Sequence, residues 1–490
     1  MTISRLLNGV RVICSKMELN FTIEKPFSDS RKAINGGAFV AIKGEKRNGN
    51  DYIMQVIEKG AKCIITDDYE SYNKNPRTIL VENARKALAF MWDNYYDNPT
   101  KDMSIVAITG TNGKTSCAYY LYNILKEAEK KRGLISTVEC LINDDKYETN
   151  GGSAVPDIIG AMTTPDPEIL YSIFDKMRLN GVEVVVMEAS SHALEQDKLS
   201  PLSIKVGAFT NLSSEHMDFH ANMEKYYLAK RKLFELCEYA VINTDDEYGK
   251  RAASEIKCKV VTCSVNFGDC IARDIKLSSE GYTYKFCSDN LCLDISGHIS
   301  TRFSIYNTNL SIAMALILNI DKRKIKDGIL NTKSIKGRLE RVENTNIFID
   351  YAHTPCAING TLKSLREIFP KKRIIALFGC GGDRDREKRE KMAKTVFDGA
   401  NMAIITADNS RNESICAIFR DILKGVPDGK DFVIISKRRS AIKYALSIMQ
   451  NDDVLILLGK GHESYEIDKN GMHYFNERQI IEEVLGIVQN

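Results

Sequence analysis

A glycine-rich loop supplies the first residues whose types and spacing could do chemistry. The segment SIVAITGTNGKTS runs from an apolar strand into the helical stretch CAYYLYNILKEAEK. Gly110 and Gly113 carry no Cβ atom where backbone N–H groups must turn inward around phosphate oxygens. Lys114 can reach the β- and γ-phosphates, and the hydroxyl of Thr115 or Ser116 can bind Mg²⁺. We therefore predict a site for ATP or another nucleoside triphosphate, formed by Gly110, Thr111, Asn112, Gly113, Lys114, Thr115 and Ser116.

Acidic and histidine side chains follow the next two apolar strands. VVVMEASSHAL contains Glu188, and NLSSEHMDFH contains His216 and His220. The carboxyl ends of parallel strands meet at one edge of a sheet, which is where an α/β sheet places its ligand. Mg²⁺ prefers oxygen ligands, so Glu188 is the natural partner of a nucleotide-bound metal, with His216 as an additional ligand. His220 is interpreted as a packing or capping residue.

The elements that must position these residues fall into three blocks. The first contains short β-rich runs and a helix at 84–96. In the second and third, apolar strands alternate with amphipathic helices, which is typical of parallel sheets with helical crossovers. The fold class is therefore α/β with three domains: a small mixed α/β domain at 1–98, a central P-loop domain with a parallel sheet at 99–335, and a C-terminal Rossmann-like α/β domain at 336–490.

Composition excludes several classes of protein. The chain has 490 residues, with 68 basic and 65 acidic side chains and a formal charge of +3, which argues against a nucleic-acid-binding protein. The 13 cysteines include no C-x-x-C pair, which favours reduced thiols. The N-terminus lacks the apolar core of a signal peptide, and SIAMALILNI is too short to span a bilayer. We expect a cytoplasmic monomer that has no membrane span and binds no nucleic acid.

The order GTNGKTS, MEASSHAL and EHMDFH-x9-K resembles the Mur ligase family of cytoplasmic peptidoglycan synthetases. The resemblance covers essentially the whole chain, and it is strongest to the members that add the third amino acid. It implies an ATP- and Mg²⁺-dependent, ADP-forming ligase that adds meso-diaminopimelate to the D-glutamate of UDP-N-acetylmuramoyl-L-alanyl-D-glutamate. The reaction would pass through an acyl phosphate, and the first domain would bind the uridine end of the acceptor.

The resemblance also implies site residues for this acceptor. FSDSRKAINGGAFVAIKG resembles the uridine-site segment, and TTPDP resembles the loop that holds the muramoyl-dipeptide. Where the family usually has an arginine, this chain has Lys198, and a lysine cannot repeat a bidentate grip on an anion. The implied contacts are Ser30, Thr163, Thr164, Ser190, Gln196 and Lys198.

By the same resemblance, Lys230 matches a lysine that the family carbamylates. A bare ammonium group would repel Mg²⁺, whereas a carbamate offers anionic oxygen atoms to a second magnesium ion. The implied catalytic residues are Lys114, Glu188, His216 and Lys230. The implied metal ligands are Thr115, Glu188, His216 and carbamylated Lys230. No general base for the attacking amine can be identified.

Segments of the last block resemble the nucleotide and amino-acid subsites. KGRLE and DYAHTP imply Arg338, Asp350 and His353 beside the nucleotide, joined by Asn307. ADNSR resembles the D-N-P-R signature of enzymes that add meso-diaminopimelate, with serine in place of proline. The Arg411 guanidinium can fork onto the carboxylate that diaminopimelate has and lysine lacks. The implied amino-acid site is Arg384, Asp408, Asn409, Arg411, Gly459 and Glu463.

Four alternatives remain open from the sequence. The same ligase could use L-lysine or another diamino acid, or the chain could be a folylpolyglutamate synthetase-like ligase, against which DNSR and the N-terminal DSR segment count. A P-loop switch or motor would lack a peptide product, and no aspartate after an apolar strand supports it. A non-catalytic ligase used as a binding module is the fourth, motivated by Lys198 and by the serine in DNSR.

Overall fold

The computed structural model describes residues 1–44, 47–148, 162–215, 217–289, 291–299 and 301–487. Within these residues, three successive parts of the chain each build a sheet with helices packed on it. The prediction of a three-domain α/β fold is confirmed, while the boundaries assigned to the domains stay a prediction.

The first part of the chain forms a mixed sheet in the order β1-β5-β4-β3-β2, in which only the β1–β5 pair is antiparallel. Its longest helix begins at Ala84 and is capped by the preceding Asn83, whose side chain accepts a hydrogen bond from the Lys86 N–H. Strands β1–β5 are Val12–Ser15, Pro26–Phe27, Ala38–Ala41, Cys63–Thr66 and Thr78–Val81, and helices α1–α4 are Ile3–Leu6, Ile53–Glu58, Tyr69–Lys74 and Ala84–Tyr95.

The central part forms the largest sheet, in the order β16-β15-β14-β13-β12-β11-β6-β10-β7-β8-β9. Strands β6–β16 are Ser104–Thr109, Arg132–Ile135, Cys140–Ile142, Asp145–Lys146, Val184–Glu188, Ile204–Phe209, Cys237–Asn243, Lys259–Ser264, Cys270–Ser278, Gly281–Ser288 and Leu291–Gly297. Helices α5–α12 are Lys114–Glu127, Pro167–Leu179, Ser191–Glu195, Met217–His220, Met223–Arg231, Glu247–Glu255, Arg302–Ile317 and Lys322–Leu330.

The middle of this sheet is parallel, as predicted, and both of its faces are buried. Ile105 and Ala107 of β6 belong to one core cluster, and Val106 and Ile108 belong to the cluster under α5. The edges differ from the prediction of a parallel sheet, because β14–β16 and β7–β9 form antiparallel meanders. Burial alternates along β16, as expected for an antiparallel edge strand that packs one face on the core and leaves the other in water.

The last part of the chain forms a sheet in the order β17-β18-β22-β19-β20-β21, parallel except for β17, with a separate hairpin β23–β24. This matches the Rossmann-like expectation. Strands β17–β24 are Glu340–Arg341, Ile347–Asp350, Ile374–Phe378, Met402–Thr406, Phe432–Ile435, Val454–Leu458, Tyr465–Asp468 and Gly471–Tyr474, and helices α13–α17 are Pro355–Ile368, Glu387–Gly399, Ile415–Leu423, Arg438–Ile448 and Glu477–Leu485.

Two further expectations from composition can be compared with the fold. In the described part of the chain, no helix is long and apolar enough to cross a membrane. Cys287 and Cys292 face each other across β15 and β16 and form a disulfide, which departs from the expectation of reduced thiols throughout.

Helix α4 buries one carboxyl group against the central part of the chain. Asp93 is 7% exposed and lies near Tyr171 of α6, and no cation of the described residues pairs with it. Burial raises the pKa of Asp93 to about 7.

We expect the stability contribution of Asp93 to fall as pH rises. Between about pH 4 and pH 7, Asp93 keeps its proton in the folded state but not in the unfolded state. The free energy of unfolding therefore falls across that window and stays level above it. Asp93→Asn should match the wild type near pH 5 and exceed its midpoint temperature at pH 8 by a few degrees, roughly 1–2 kcal/mol. Thermal unfolding at several pH values checks this, with the exposed Asp102→Asn as control. A difference that is the same at every pH would contradict it.

Candidate functional site: a phosphate loop beneath an interdomain cleft

The phosphate loop follows β6, the strand between β11 and β10, and ends where α5 begins. Gly110 and Gly113 have φ values of 145° and 89°, which side chains rarely adopt. A Cβ atom at Gly113 would lie 2.5 Å from the Asn307 Oδ1 atom, and one at Gly110 would collide with Thr210. The loop therefore requires glycine at both positions, and it exposes its backbone toward the cleft.

The end of β11 holds this loop in place. The Asn112 N–H donates to the Asn211 Oδ1 atom at 3.0 Å, and the Thr210 hydroxyl donates to the Asn112 carbonyl at 2.6 Å. The Thr111 N–H donates to the Asn211 carbonyl at 2.8 Å. These contacts fix the loop before any ligand binds.

Two lysines converge on one carbonyl oxygen of the loop. The Lys114 ammonium donates to the Gly110 and Thr111 carbonyls at 2.9 Å each, and the Lys230 ammonium donates to the Gly110 carbonyl at 2.8 Å. Lys230 is 1% exposed and lies over the Tyr226 ring. Burial, together with the neighbouring Lys114 charge, holds the pKa of Lys230 well below its usual range, and burial also lowers the pKa of Lys114.

Glu188 lies fully buried at the end of β10, next to the loop. Its Oε1 atom accepts hydrogen bonds from the Thr115 hydroxyl at 2.9 Å and the Thr137 N–H at 2.8 Å. Its Oε2 atom accepts one from the Thr137 hydroxyl at 3.0 Å. Carboxylate and hydroxyl oxygens thus meet beside the phosphate loop, which is the donor chemistry that Mg²⁺ prefers.

The predicted histidine ligand of this site cannot be placed, because His216 lies outside the described residues. Its neighbour in sequence, His220, is buried, with its Nε2 atom 2.9 Å from the Ser191 hydroxyl and its ring stacked on Tyr226. Among the residues that the structure describes, no three His, Cys, Asp or Glu side chains form a metal cluster.

The C-terminal domain covers the loop from the other side. The Arg338 guanidinium lies over the Tyr351 ring at 4.7 Å and donates to the Thr115 hydroxyl at 3.1 Å. The His353 Nε2 atom lies 3.2 Å from the Glu215 Oε1 atom of the central domain. Between the two domains is a cavity of about 510 Å³, and the predicted nucleotide-site residues that line it are Thr111, Asn112, Gly113, Lys114, Thr115, Ser116, Asn307, Arg338, Asp350 and His353.

Asp350 lies at this cavity, but its oxygen atoms are already engaged. They accept hydrogen bonds from the Leu339 N–H at 2.6 Å, the Ala352 N–H at 2.9 Å and the Thr361 hydroxyl at 3.2 Å. Burial raises the pKa of Asp350 in spite of these donors. The carboxylate therefore shapes the chain around residues 337–352.

The residues predicted for the acceptor lie in two groups. Thr163 and Thr164 are beside Glu188: the Thr163 and Thr137 hydroxyl oxygens lie 3.1 Å apart, and the Thr164 hydroxyl donates to the Glu188 carbonyl at 2.9 Å. The Thr164 hydroxyl oxygen in turn accepts from the Ser190 N–H at 3.0 Å.

Gln196 and Lys198 line a second cavity of about 470 Å³ between the first and central domains, together with Trp92. Lys198 forms an ion pair with Asp166 at 2.7 Å. Ser30 does not line this cavity, although the preceding Ser28 and Asp29 do. The Ser30 carbonyl instead accepts a hydrogen bond from Lys59.

The predicted amino-acid residues meet in the C-terminal domain. The Asn409 amide donates to the Glu463 carboxylate at 2.9 Å, and a Cβ atom at Gly459, where φ is 111°, would lie 2.7 Å from the Asp408 carboxylate. The Arg411 guanidinium donates to the Gly382 carbonyl at 2.9 Å.

The remaining predicted residue, Arg384, is exposed, but its side chain lies near Gly381, as that of Arg411 does. A Cβ atom at Gly381 would lie 3.0 Å from the Arg411 Nη1 atom and 3.7 Å from the Arg384 Cγ atom. The two arginines therefore approach one backbone position.

Sequence reasoning missed four residues that hold the site together: Thr137, Asn211, Tyr351 and Lys460. Asn211 and Tyr351 stand inside motifs already named, NLSSEHMDFH and DYAHTP, so their position was a usable signal. Thr137 and Lys460 lie in none of those motifs, and a threonine after a strand is common.

The comparisons with known proteins agree with this geometry. The chain matches the Mur ligase middle domain at residues 108–315, the Mur ligase glutamate ligase domain at 337–461 and the Mur ligase family catalytic domain at 27–96. The chain belongs to the Mur ligase family.

Relatives match along almost the whole chain. The UDP-N-acetylmuramoyl-L-alanyl-D-glutamate--2,6-diaminopimelate ligase of Caldanaerobacter subterraneus is 39% identical, covering 98% of both chains. UDP-N-acetylmuramoyl-L-alanyl-D-glutamate--2,6-diaminopimelate ligase 1 of Clostridium acetobutylicum is 36% identical, covering 99% of both. A solved structure of a ligase with the first of these names is 26% identical, with a TM-score of 0.69 over 99% of both chains.

The close approach at Gly113 leads to a prediction about nucleotide binding. Gly113→Ala should weaken the binding of ADP or ATP at least about tenfold, because the new methyl group meets Asn307 and the strained backbone moves the N–H groups of the loop. Isothermal titration checks this. Gly429→Ala is the matched control, since its φ is also positive at 73° but nothing lies within 4 Å. Equal nucleotide affinities in the two variants would contradict a role of Gly113 in binding the nucleotide.

Proposed function

We propose that this protein is an ATP-dependent, ADP-forming ligase that adds meso-diaminopimelate to the D-glutamate of UDP-N-acetylmuramoyl-L-alanyl-D-glutamate in peptidoglycan precursor synthesis. The observation that carries the proposal is the position of the Tyr351 ring. It lies 4.7 Å from the Arg338 guanidinium, which reaches the phosphate loop, and 4.8 Å from the ring of His462, next to Glu463 in sequence. The proposed phosphate-activating site and the proposed amino-acid site would thus lie on two sides of one ring, as a two-step ligation requires.

The nucleotide would be held by loop residues 110–116 and by the other predicted residues of the 510 Å³ cavity. Backbone N–H groups and the Lys114 ammonium would meet the phosphates, while Asn307 and His353 would lie beside the rest of the nucleotide. The cavity volume is within the range of ordinary small-molecule sites.

Mg²⁺ fits the donor set at Glu188 and Thr115, because one buried carboxylate and one hydroxyl leave room for phosphate and water oxygens. When bound there, the ion would neutralise charge on the transferred phosphate. Carbamylation of Lys230 would add an anionic oxygen donor on the opposite side of the loop, which makes a second magnesium ion part of the proposal.

The acceptor would reach from the second cavity to the phosphate loop. Gln196 and Lys198 would hold its nucleotide-linked end near the first domain, and Thr163, Thr164 and Ser190 would lie along the muramoyl-dipeptide. The D-glutamate carboxylate would then approach the γ-phosphate between Lys114 and Thr163. Fixed cations at this point lower the repulsion between two anions, which is the main barrier to forming the acyl phosphate.

The second step needs a protected cleft. Arg338 and His353 of the C-terminal domain already contact Thr115 and Glu215 of the central domain, so that domain would exclude water while the amine attacks the acyl carbon. We further propose the three predicted domains as the acceptor, ATP and amino-acid modules, in a monomer that works in the cytoplasm.

Arg411 supports diaminopimelate over lysine. Within the described structure its Nη1 atom donates to two carbonyls, while Nε and Nη2 have no protein partner. These two donors have the spacing that a carboxylate accepts in a bidentate way. Diaminopimelate carries this second carboxylate, and lysine does not.

The central assay measures phosphate release from ATP with UDP-muramoyl-dipeptide and with diaminopimelate, lysine or neither. We expect release that depends on both the muramoyl substrate and diaminopimelate, with ADP and the UDP-tripeptide as products. Release that ignores both substrates would support a P-loop switch, and dependence on a folate would support the folylpolyglutamate reaction. A preference for lysine would reject the role of Arg411.

A second prediction concerns Lys230. Lys230→Ala should lower kcat about 100-fold or more, because it removes either a carbamate ligand or the cation at the Gly110 carbonyl. Lys225→Ala is the control, since Lys225 is exposed on the same helix. If carbamylation is responsible, small carboxylic acids should partly restore the activity of the alanine variant. A fully active alanine variant would remove Lys230 from the mechanism.

A further inference from the structure

The C-terminal domain holds a buried cation that the proposed mechanism does not use. Lys460 follows Gly459 at the end of β22 and is 0% exposed. Its ammonium group donates to the Tyr465 carbonyl at 2.8 Å and to the Asn409 Oδ1 atom at 3.0 Å. The rings of Tyr465 and Phe475 lie 5.9 and 5.6 Å from it. Complete burial of a lysine is costly, so this position calls for a physical reason.

The orientation of the Asn409 amide follows from these contacts. Its Oδ1 atom faces two donors, the Lys460 ammonium and the Ile467 N–H at 3.0 Å. With the oxygen fixed there, the Nδ2 group must point to the other side, where it donates to the Glu463 Oε2 atom at 2.9 Å. The lysine therefore determines which face of the amide reaches the pocket.

The same ammonium group balances charge in the pocket. It lies 3.7 Å from the Glu463 carboxylate and 4.0 Å from the Asp408 carboxylate. Burial and the nearby Asp408 charge raise the pKa of Glu463, and Lys460 opposes this rise. Burial would also raise the pKa of Asp408, but Lys460 and Arg438 overcome that effect and lower it.

We propose that Lys460 is a positioning residue for the incoming amino acid: it fixes the Asn409 amide and holds a positive charge beside Glu463, so that both groups are oriented for the substrate's ammonium and carboxylate. This inference rests on the proposed function. Lys460 itself does not reach the substrate, since it is fully buried and its ammonium donates to Asn409 and Tyr465 inside the domain.

The test is Lys460→Met, which keeps an unbranched apolar chain between the two rings and removes the ammonium. The KM for diaminopimelate should rise at least about tenfold, the size expected for losing a hydrogen bond to a charged group. The KM for ATP and for UDP-muramoyl-dipeptide should change less than about twofold. Lys430→Met is the matched control, because Lys430 is exposed in the same domain and donates to the Phe397 carbonyl.

The pH profile separates positioning from a general loss of structure. Glu463 faces five other titratable groups, which are Asp408, Lys460, His353, Tyr351 and Tyr465. Without the Lys460 charge the carboxyl groups hold their protons more tightly. The acidic limb of kcat/KM for diaminopimelate should therefore move to higher pH in Lys460→Met, while the profile for ATP stays in place.

Lys460→Gln provides a second variant with a neutral donor. It should raise the KM for diaminopimelate less than methionine does and still shift the acidic limb. Equal increases of the KM values for all three substrates, or an unmoved acidic limb, would overturn the positioning role. Loss of the fold in both variants would also overturn it, because the ammonium would then serve stability. If the wild type itself shows no release dependent on diaminopimelate, the proposed function fails instead.

Discussion

One carbonyl oxygen, that of Gly110, accepts hydrogen bonds from two lysine ammonium groups, and the rest of the site depends on this arrangement. Burial and the neighbouring Lys114 charge lower the pKa of Lys230, and the Glu215 carboxylate only partly opposes this. The two lysines meet at the end of β6, between β11 and β10, where hydrogen bonds to Thr210 and Asn211 hold the loop in its conformation. A phosphate chain is the ligand that removes the conflict.

The same constraint explains why the C-terminal domain contributes so much to a site that the central domain builds. The loop offers positive charge on one side only, and Arg338 adds a guanidinium from the other side through Thr115. Tyr351 supports that guanidinium and also touches the rings of His353 and His462. In the proposed mechanism, the nucleotide subsite and the amino-acid subsite would therefore be joined through this single ring.

The sequence allowed the loop, the parallel core and the amino-acid cluster to be predicted, because each depends on a local pattern with a physical cause. The spacing of the glycine-rich loop predicts the phosphate-binding roles of Gly113 and Lys114. The resemblance of ADNSR to a known signature predicts the role of Arg411. The Thr137 bonds to Glu188 were not predictable, since they depend on how β7 and β10 align. The antiparallel edges were missed because short β-like runs do not reveal strand direction. The cavity between the first and central domains is lined by Ser28 and Asp29, whereas the resemblance pointed to the next residue, Ser30.

The net charge of +3 does not show which basic side chains stabilise the fold and which are available to a ligand. The groups that each basic side chain contacts do show this. In the described residues, Arg389 and Arg438 are fully buried against the carboxylates of Glu413 and Glu477, so their charge is neutralised within the fold. Lys114 and Arg411 instead donate to carbonyl oxygens. A carbonyl satisfies a donor without carrying a formal negative charge, so these two side chains keep an attraction for anions. Lys114 lies at the phosphate loop and Arg411 at the proposed amino-acid pocket, so each would attract one of the anionic substrates.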